Sequence, residues 1–117
     1  MATPVSAIEI KRHAMTWAEN ADGVLDCTVL HVDRFGNCLL NLRAANFPRL
    51  RRTWALGCGK TVTEVSTYAD LAPGQIGLLA GSQGVIELAL NQGDCARLLD
   101  LCPGQNLCLT QKDGPHP

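Results

Sequence analysis

The segments most suggestive of chemistry in this sequence are its glycine-containing loops. One of them, Gly57-Cys58-Gly59-Lys60-Thr61, ends in the Gly-Lys-Thr of a phosphate-binding loop. That motif needs a further glycine five residues before Gly59, where this sequence has Trp54. A phosphate-binding loop also leads into a helix, whereas the residues from Thr61 onward alternate like a strand. We therefore predict a hairpin-type turn at this position.

Nucleophilic catalysis has no local signature in the sequence. Ser82 stands in Gly81-Ser82-Gln83-Gly84, which lacks the Gly-x-Ser-x-Gly spacing of a nucleophile elbow. No cysteine–histidine signature is present either. Three carboxylates could act as a general base, but turn chemistry or an exposed strand position explains each of them: Asp33, Asp70 and Glu87. We predict no catalytic residue.

The cysteines and histidines do not form a metal-binding pattern. No two cysteines have the Cys-x-x-Cys spacing of zinc or redox sites, and the three histidines are scattered. The six cysteines stand mostly in apolar runs, where a free thiol packs like a small hydrophobic group. We therefore predict buried free thiols and no metal at these cysteines: Cys27, Cys38, Cys58, Cys95, Cys102 and Cys108.

Size and charge limit the classes of function. The 117 residues, 46% of them hydrophobic, suffice for one domain with one core. Ten basic and eleven acidic residues give a net charge of −1, which argues against a nucleic-acid partner. The segment from Arg43 to Arg52 is the local exception, since it holds four arginines. We favour a solvated loop face there, with an anion or RNA patch as the alternative.

The chain shows no membrane or secretion signal. No apolar stretch approaches the ~20 residues of a membrane-spanning helix. The segment from Met1 to Glu19 lacks the basic-then-apolar order of a secretory signal. We therefore expect no membrane contact and a cytoplasmic location.

Short alternating segments separated by turn residues predict a mainly β protein. About six short strands and one short helix near the C-terminus suit a small β-barrel or sandwich. We expect residues 1–22 to be an N-terminal arm or leader, 23–112 the β domain, and 113–117 a flexible tail. The predicted strands are Val24–Val32, Cys38–Leu42, Thr61–Tyr68, Ile76–Ala80, Val85–Leu90 and Asn106–Thr110, with the helix at Asp94–Leu99.

Three segments resemble motifs of a known family. The first contains Asp33-Arg34-Phe35-Gly36-Asn37, the second is Tyr68 ahead of the turn Pro73-Gly74, and the third runs from Gly81 to Ala96. They are similar to the Asp-x-Phe-Gly-Asn hairpin, the aromatic before Pro-Gly, and the Asn-Ser-x-Gly-x-Leu-Glu-Ile-Ala strand of the S-adenosylmethionine hydroxide adenosyltransferases. That family includes the adenosyl-fluoride and adenosyl-chloride synthases, and the resemblance is to its C-terminal β-barrel domain.

The resemblance implies an adenosine site shared between chains. In the family, a catalytic N-terminal α/β domain precedes the barrel, the subunits form trimers, and the adenosyl group binds between the N-domain of one subunit and the C-domain of its neighbour. By position, Asn37 would bond adenine or ribose, Tyr68 would stack on the adenine, and Ser82 and Gln83 would address its edge. The full set of implied ligand residues is Phe35, Asn37, Tyr68, Ser82, Gln83, Leu90 and Gln92. Adenosine or S-adenosylmethionine would be the ligand, with no separate cofactor.

The same residues have simpler interpretations, and the sequence also departs from the family. Asn37 and Ser82 could be ordinary turn residues, and Tyr68 a rim aromatic. Gly81 stands where the family usually has Asn. The N-terminal catalytic domain is missing from the chain, so we expect no activity from it alone. The alternative is a non-catalytic β-barrel module that self-associates or binds a protein partner; an unrelated enzyme using a cysteine or carboxylate is the third interpretation.

Overall fold

Alternation of apolar and polar residues produces strands that close into one barrel. In the computed structural model, residues 17–47, 52–81 and 84–112 are described. A single α-helix, α1 (Cys95–Leu99), lies within these ranges. The seven strands are β1 (Val24–Val32), β2 (Cys38–Arg43), β3 (Thr53–Leu56), β4 (Thr61–Glu64), β5 (Ile76–Ala80), β6 (Val85–Leu90) and β7 (Asn106–Gln111). The mainly β fold and the barrel predicted from the sequence are confirmed.

The barrel has the strand order β1-β2-β6-β5-β4-β3-β7, and β7 pairs with β1 to close it. Closure leaves no unpaired edge among the strands of the described residues. All neighbouring strands are antiparallel except β4 and β5, which are parallel. Side chains that point inward form the core. Its largest fully buried members are Trp54, Leu25, Leu40, Leu42, Leu78, Leu88 and Leu109.

Loops gather at two ends of the barrel, which we call upper and lower. The upper end holds the β1–β2 loop, the β3–β4 turn, the end of β6 and α1. The lower end holds the start of β1, the end of β2 and the β5–β6 turn. Because β4 and β5 are parallel, residues 65–75 must return along the outside of the barrel from the lower to the upper end. Leu71 of this connection packs over Gly77, where an added Cβ would lie 2.5 Å from Leu71 Cδ2.

Strand β3 was missed by the sequence prediction, which placed no strand between Cys38–Leu42 and Thr61–Tyr68. Trp54 and Leu56 point into the barrel, and β3 pairs with both β4 and β7. The four-residue strand lies between an arginine-rich segment and a Gly-Cys-Gly turn, so its local pattern is too short to identify it. The turn itself is confirmed, because Lys60 O accepts a hydrogen bond from Leu56 N at 2.8 Å and β4 follows without a helix.

Strand β4 is shorter than predicted, ending at Glu64 and not at Tyr68. Thr67 and Asp70 cap a 3₁₀ turn, Tyr68–Asp70, through reciprocal bonds between side chain and backbone. This capping box takes up the local backbone donors and so ends the strand pattern. The predicted helix starts as expected, since the Asp94 carboxylate accepts from Arg97 N at 3.0 Å.

The prediction of buried thiols holds for half of the cysteines. Cys27, Cys38 and Cys95 are buried, whereas Cys58, Cys102 and Cys108 are exposed, and all six are free thiols. Cys108 was placed in the core because leucines flank it. Successive side chains of a strand point to opposite faces, so the burial of Leu109 turns Cys108 outward.

The described part of the predicted N-terminal arm lies against the barrel. Ala18 N donates to Asn41 O at 2.8 Å, and Trp17 packs on Leu39 and Val85 of the outer face. Residues 1–16 of the arm and the predicted tail 113–117 lie outside the described residues. In the parts of the chain that the structure covers, no helix has the length and apolar character to cross a membrane.

Candidate functional site

The β1–β2 loop at the upper end is organised by the carboxylate of Asp33. Its Oδ1 accepts from Phe35 N at 2.8 Å and from Asn37 N at 3.0 Å, and its Oδ2 accepts from Asn37 Nδ2 at 3.1 Å. Asp33 N also donates to Asn37 O at 3.0 Å. An aspartate that accepts from amides two and four residues on is a common way to fix a turn. The Asn37 side chain is therefore held in place by Asp33, and its Oδ1 acceptor remains for a ligand.

Gly36 lets the loop dock on the start of α1. Its φ of +88° is in the left-handed region, and a Cβ there would overlap the Asp94 carboxylate. Gly36 O accepts from Ala96 N at 2.9 Å. The loop and the helix are thus one packed unit.

Two buried thiols lie where the loop meets α1. The side chains of Cys38, the first residue of β2, and Cys95, the first residue of α1, hydrogen-bond to each other. This bond lowers the pKa of Cys38 against the effect of burial. The same bond, together with burial, raises the pKa of Cys95. Cys38 Sγ also donates to Gly36 O at 3.8 Å, and both thiols are inaccessible to solvent.

The Tyr68 side chain links the β4–β5 connection, residues 65–75, to the end of β6. Its hydroxyl donates to Leu90 O at 3.2 Å and accepts from Gln92 N at 2.8 Å. Asn91 strengthens the same junction, since its Nδ2 donates to Leu71 O at 2.6 Å. The Tyr68 ring nevertheless stays 43% exposed. The phenol is fixed by backbone groups while the ring is open to a ligand or a partner.

Strand register brings the two features to the same end of the barrel. Cys38, the first residue of β2, lies opposite Leu88 in the antiparallel β2–β6 pair, so the loop ahead of β2 lies beside the end of β6. The Asp33–Asn37 loop and the Tyr68 hydroxyl therefore flank the end of β6. Phe35 projects from this loop with 65% of its surface exposed, and the Arg34 guanidinium carbon lies 5.2 Å from its ring centroid.

Five of the seven residues implied by the resemblance lie at the upper end: Phe35, Asn37, Tyr68, Leu90 and Gln92. The Leu90 side chain belongs to the buried core, so only its backbone can contribute to a surface. Ser82 and Gln83 lie outside the described residues. Their neighbours Gly81 and Gly84 bound the β5–β6 turn at the lower end, about 20 Å along β6 from Leu90 at the usual rise per residue.

Glu87 gives a physical reason for glycine at position 81. An added Cβ on Gly81 would lie 2.5 Å from Glu87 Oε2. Glu87 points to the outside of β6, and burial, with a smaller effect of the Asp33 charge, raises its pKa. A side chain at position 81 would displace this carboxylate.

Sequence reasoning attributed Asp33 to turn chemistry, and the bonds that Asp33 Oδ1 accepts from Phe35 N and Asn37 N agree with this. It missed the contact of Asp94 with Gly36, which joins residues far apart in sequence. Within the described ranges, no three His, Cys, Asp or Glu side chains are grouped to hold a metal ion.

Comparisons with known proteins give the same assignment as the motifs. Residues 27–108 match the family model of the SAM hydroxide adenosyltransferase C-terminal domain. An (R)-S-adenosyl-L-methionine hydrolase from Salinispora tropica is 36% identical over 90 residues, which cover 77% of this chain and 34% of that protein. The chain thus spans about a third of the length of this relative.

Two solved structures share the fold. An uncharacterized conserved protein from Thermotoga maritima has a TM-score of 0.72 at 20% identity, covering 82% of this chain and 39% of that one. A conserved hypothetical protein from Thermus thermophilus has a TM-score of 0.61 at 27% identity, covering 84% of this chain and 38% of that one. With the family model matching most of its length, the chain belongs to the SAM hydroxide adenosyltransferase family, as a C-terminal domain of that family.

Proposed function

We propose that the barrel contributes the adenosine-binding half of an S-adenosylmethionine hydrolase active site, with catalysis performed by an α/β domain that is not among these 117 residues. The observation that carries the proposal is the Tyr68 geometry. Its hydroxyl is bound to Leu90 O and Gln92 N, and its ring is exposed at the same end of the barrel as Phe35. Aromatic faces held rigidly in the open are the usual means of stacking a purine.

Polar groups beside the aromatic rings suit a nucleoside. Asn37 retains an amide oxygen that can accept from an adenine amino group or a ribose hydroxyl. Gln92 is exposed at the end of β6 and carries both a donor and an acceptor. Both side chains belong to upper-end elements, as do Phe35 and Tyr68, so this end of the barrel offers groups for stacking and for hydrogen bonding.

An open surface gives a half-site, because ligand pockets normally enclose most of the ligand. The second half would come from the α/β domain of another chain, and a trimer of such units is the assembly proposed by family analogy. The cytoplasm is the proposed compartment, in keeping with six free thiols.

Calorimetry with adenosine and S-adenosylmethionine tests the proposal, first on the chain alone and then with the catalytic domain of the Salinispora tropica relative supplied in equimolar amount. We expect weak heat from the chain alone and at least tenfold tighter binding in the mixture. The matched variants are Tyr68→Ala, which should abolish the gain in affinity, and Val24→Ala, a change to an exposed apolar residue at the lower end that should not. An absence of heat in both settings would rule out the nucleoside site.

The alternative, a non-catalytic module that self-associates or binds a protein, is supported by the same exposed side chains. Phe35, Tyr68 and Leu98 are large apolar residues left open in upper-end elements. Protein partners commonly cover such groups. Sedimentation of the chain at increasing concentration separates the two hypotheses: self-association lost on Phe35→Ser, with no adenosine heat, would favour the module.

A further inference from the structure

The lower end contains a cavity that the proposed adenosine site does not use. Its volume is about 360 Å³, within the range of small-molecule sites. It lies between the segment ahead of β1, the end of β2 and the start of β3. The lining residues are Ala18, Glu19, Asn20, Leu25, Arg43, Phe47 and Arg52.

The two arginines at this cavity are oriented by aromatic rings. The Arg43 guanidinium carbon lies 4.4 Å from the Trp17 ring centroid. The Arg52 guanidinium carbon lies 5.5 Å from the Phe47 centroid and 5.3 Å from that of Trp54. Stacking on a ring restrains the plane of a guanidinium and leaves its N–H edges for an acceptor.

The buried carboxylate of Glu64 also restrains the Arg52 side chain. Glu64 Oε2 accepts from Trp54 Nε1 at 2.8 Å and forms an ion pair with Arg52 Nε at 2.8 Å. The Arg52 side chain is only 17% exposed, which corrects the predicted solvated face at this residue. Since Glu64 engages Nε and does not line the cavity, the terminal nitrogens of Arg52 are the groups able to meet a ligand.

Among the described lining residues, donors outnumber acceptors. Asn20 Oδ1 accepts from Gly23 N at 2.8 Å, so its NH₂ is the part of the amide that can reach a ligand. Glu19 is the single carboxylate among these described residues, and it is exposed. Two guanidinium forks and an amide donor match an oxyanion. Leu25, Phe47 and Ala18 provide apolar surface next to them.

We propose that this lower-end cavity is a second binding site, for a small organic molecule that carries an oxyanion, either carboxylate or phosphate, on an apolar body. A bare oxyanion would fill only part of the cavity. The apolar body of the ligand would fill the rest, against the apolar part of the lining. Arg43 and Arg52, the two described arginines of the arginine-rich segment, thus have an anion-binding role. Arg43 makes the principal contact because it is the arginine that Glu64 does not pair with.

The Trp17 indole reports binding directly, because its ring is stacked on Arg43. We would follow the two tryptophan indole N–H signals of ¹⁵N-labelled protein by NMR at constant ionic strength and pH 7, assigning Trp17 with Trp17→Phe. The probes are benzoate, inorganic phosphate and the neutral benzyl alcohol. Benzoate should shift the Trp17 signal saturably, phosphate more weakly, and benzyl alcohol not saturably.

Matched variants attribute the site to Arg43. Arg43→Gln should weaken benzoate binding about tenfold, the loss expected for a charge-assisted hydrogen bond. Arg43→Lys should give an intermediate affinity, since it keeps the charge without the planar fork. Arg97→Gln, on the exposed face of α1, should leave the affinity for benzoate unchanged. In the absence of ligand, a Trp54 indole signal at the position of the unsubstituted protein shows that a variant is folded. Equal responses to benzoate and benzyl alcohol, an unsaturable shift, or equal affinities of Arg43→Gln and Arg97→Gln would overturn the proposal.

Discussion

Asp33 binds both nitrogens of Asn37, the backbone N through Oδ1 at 3.0 Å and the side-chain Nδ2 through Oδ2 at 3.1 Å. One carboxylate therefore sets the backbone of the β1–β2 loop and the rotamer of its candidate ligand residue. The loop is rigid before any ligand arrives. Preorganisation of this kind lowers the entropy that binding must overcome.

Replacement of Asp33 by Ala should destabilise the fold by about 1–2 kcal/mol, because three hydrogen bonds to a charged acceptor are lost at a partly exposed site. Urea unfolding monitored by tryptophan fluorescence measures the change. Asp26→Ala, at an exposed position of β1, is the control and should change stability by less than about 0.5 kcal/mol. Equal effects of the two variants would show that the Asp33 network has no net energetic role.

Gly36→Ala should be the more damaging of two matched glycine substitutions. Gly36 and Gly74 both have positive φ, of +88° and +81°. Their surroundings differ, since a Cβ at Gly36 overlaps Asp94 whereas a Cβ at Gly74 has open space around it. Gly74→Ala should cost about 1–2 kcal/mol from backbone strain alone. Gly36→Ala should lower the free energy of unfolding, measured with denaturant, by more than Gly74→Ala does. Similar losses for the two variants would mean that the β1–β2 loop can move away from α1 without loss of stability.

Elements with a clear local pattern of apolar and turn residues could be predicted from the sequence, whereas elements and contacts that depend on distant residues could not. Strands β1, β5 and β6 have the predicted bounds because β-branched and apolar runs end there in turn residues. Strand β3 is defined instead by pairing with β4 and β7, and β7 lies some fifty residues away in the chain. The same limit applies to the site. Asp33 and Asn37 are neighbours in sequence, but the contacts of Tyr68 with Gln92 and of Cys38 with Cys95 exist only once the barrel closes.

Removing one oxygen from Tyr68 should separate its structural role from its proposed role in stacking. Tyr68→Phe loses the bonds to Leu90 O and from Gln92 N but keeps the ring. The Gln92 amide should then exchange its hydrogen at least several-fold faster, as measured by NMR, because its acceptor is gone. Adenosine binding in the presence of a supplied catalytic domain should fall less for Tyr68→Phe than for Tyr68→Ala. If the two variants bind equally weakly, the hydroxyl and not the ring provides the contact.

Burial raises the pKa of Cys27 to about 12 from an ordinary 9.0, with smaller contributions from Asp26 and Cys108. The folded protein therefore keeps the Cys27 proton in a range where the unfolded chain has released it, and stability should fall as pH rises from about 9 to 12. Cys27→Ala should flatten this decline, while Cys58→Ala, at an exposed turn, should not. Urea midpoints taken across this pH range measure the difference. Identical slopes for the two variants would mean that Cys27 does not contribute to the alkaline loss of stability.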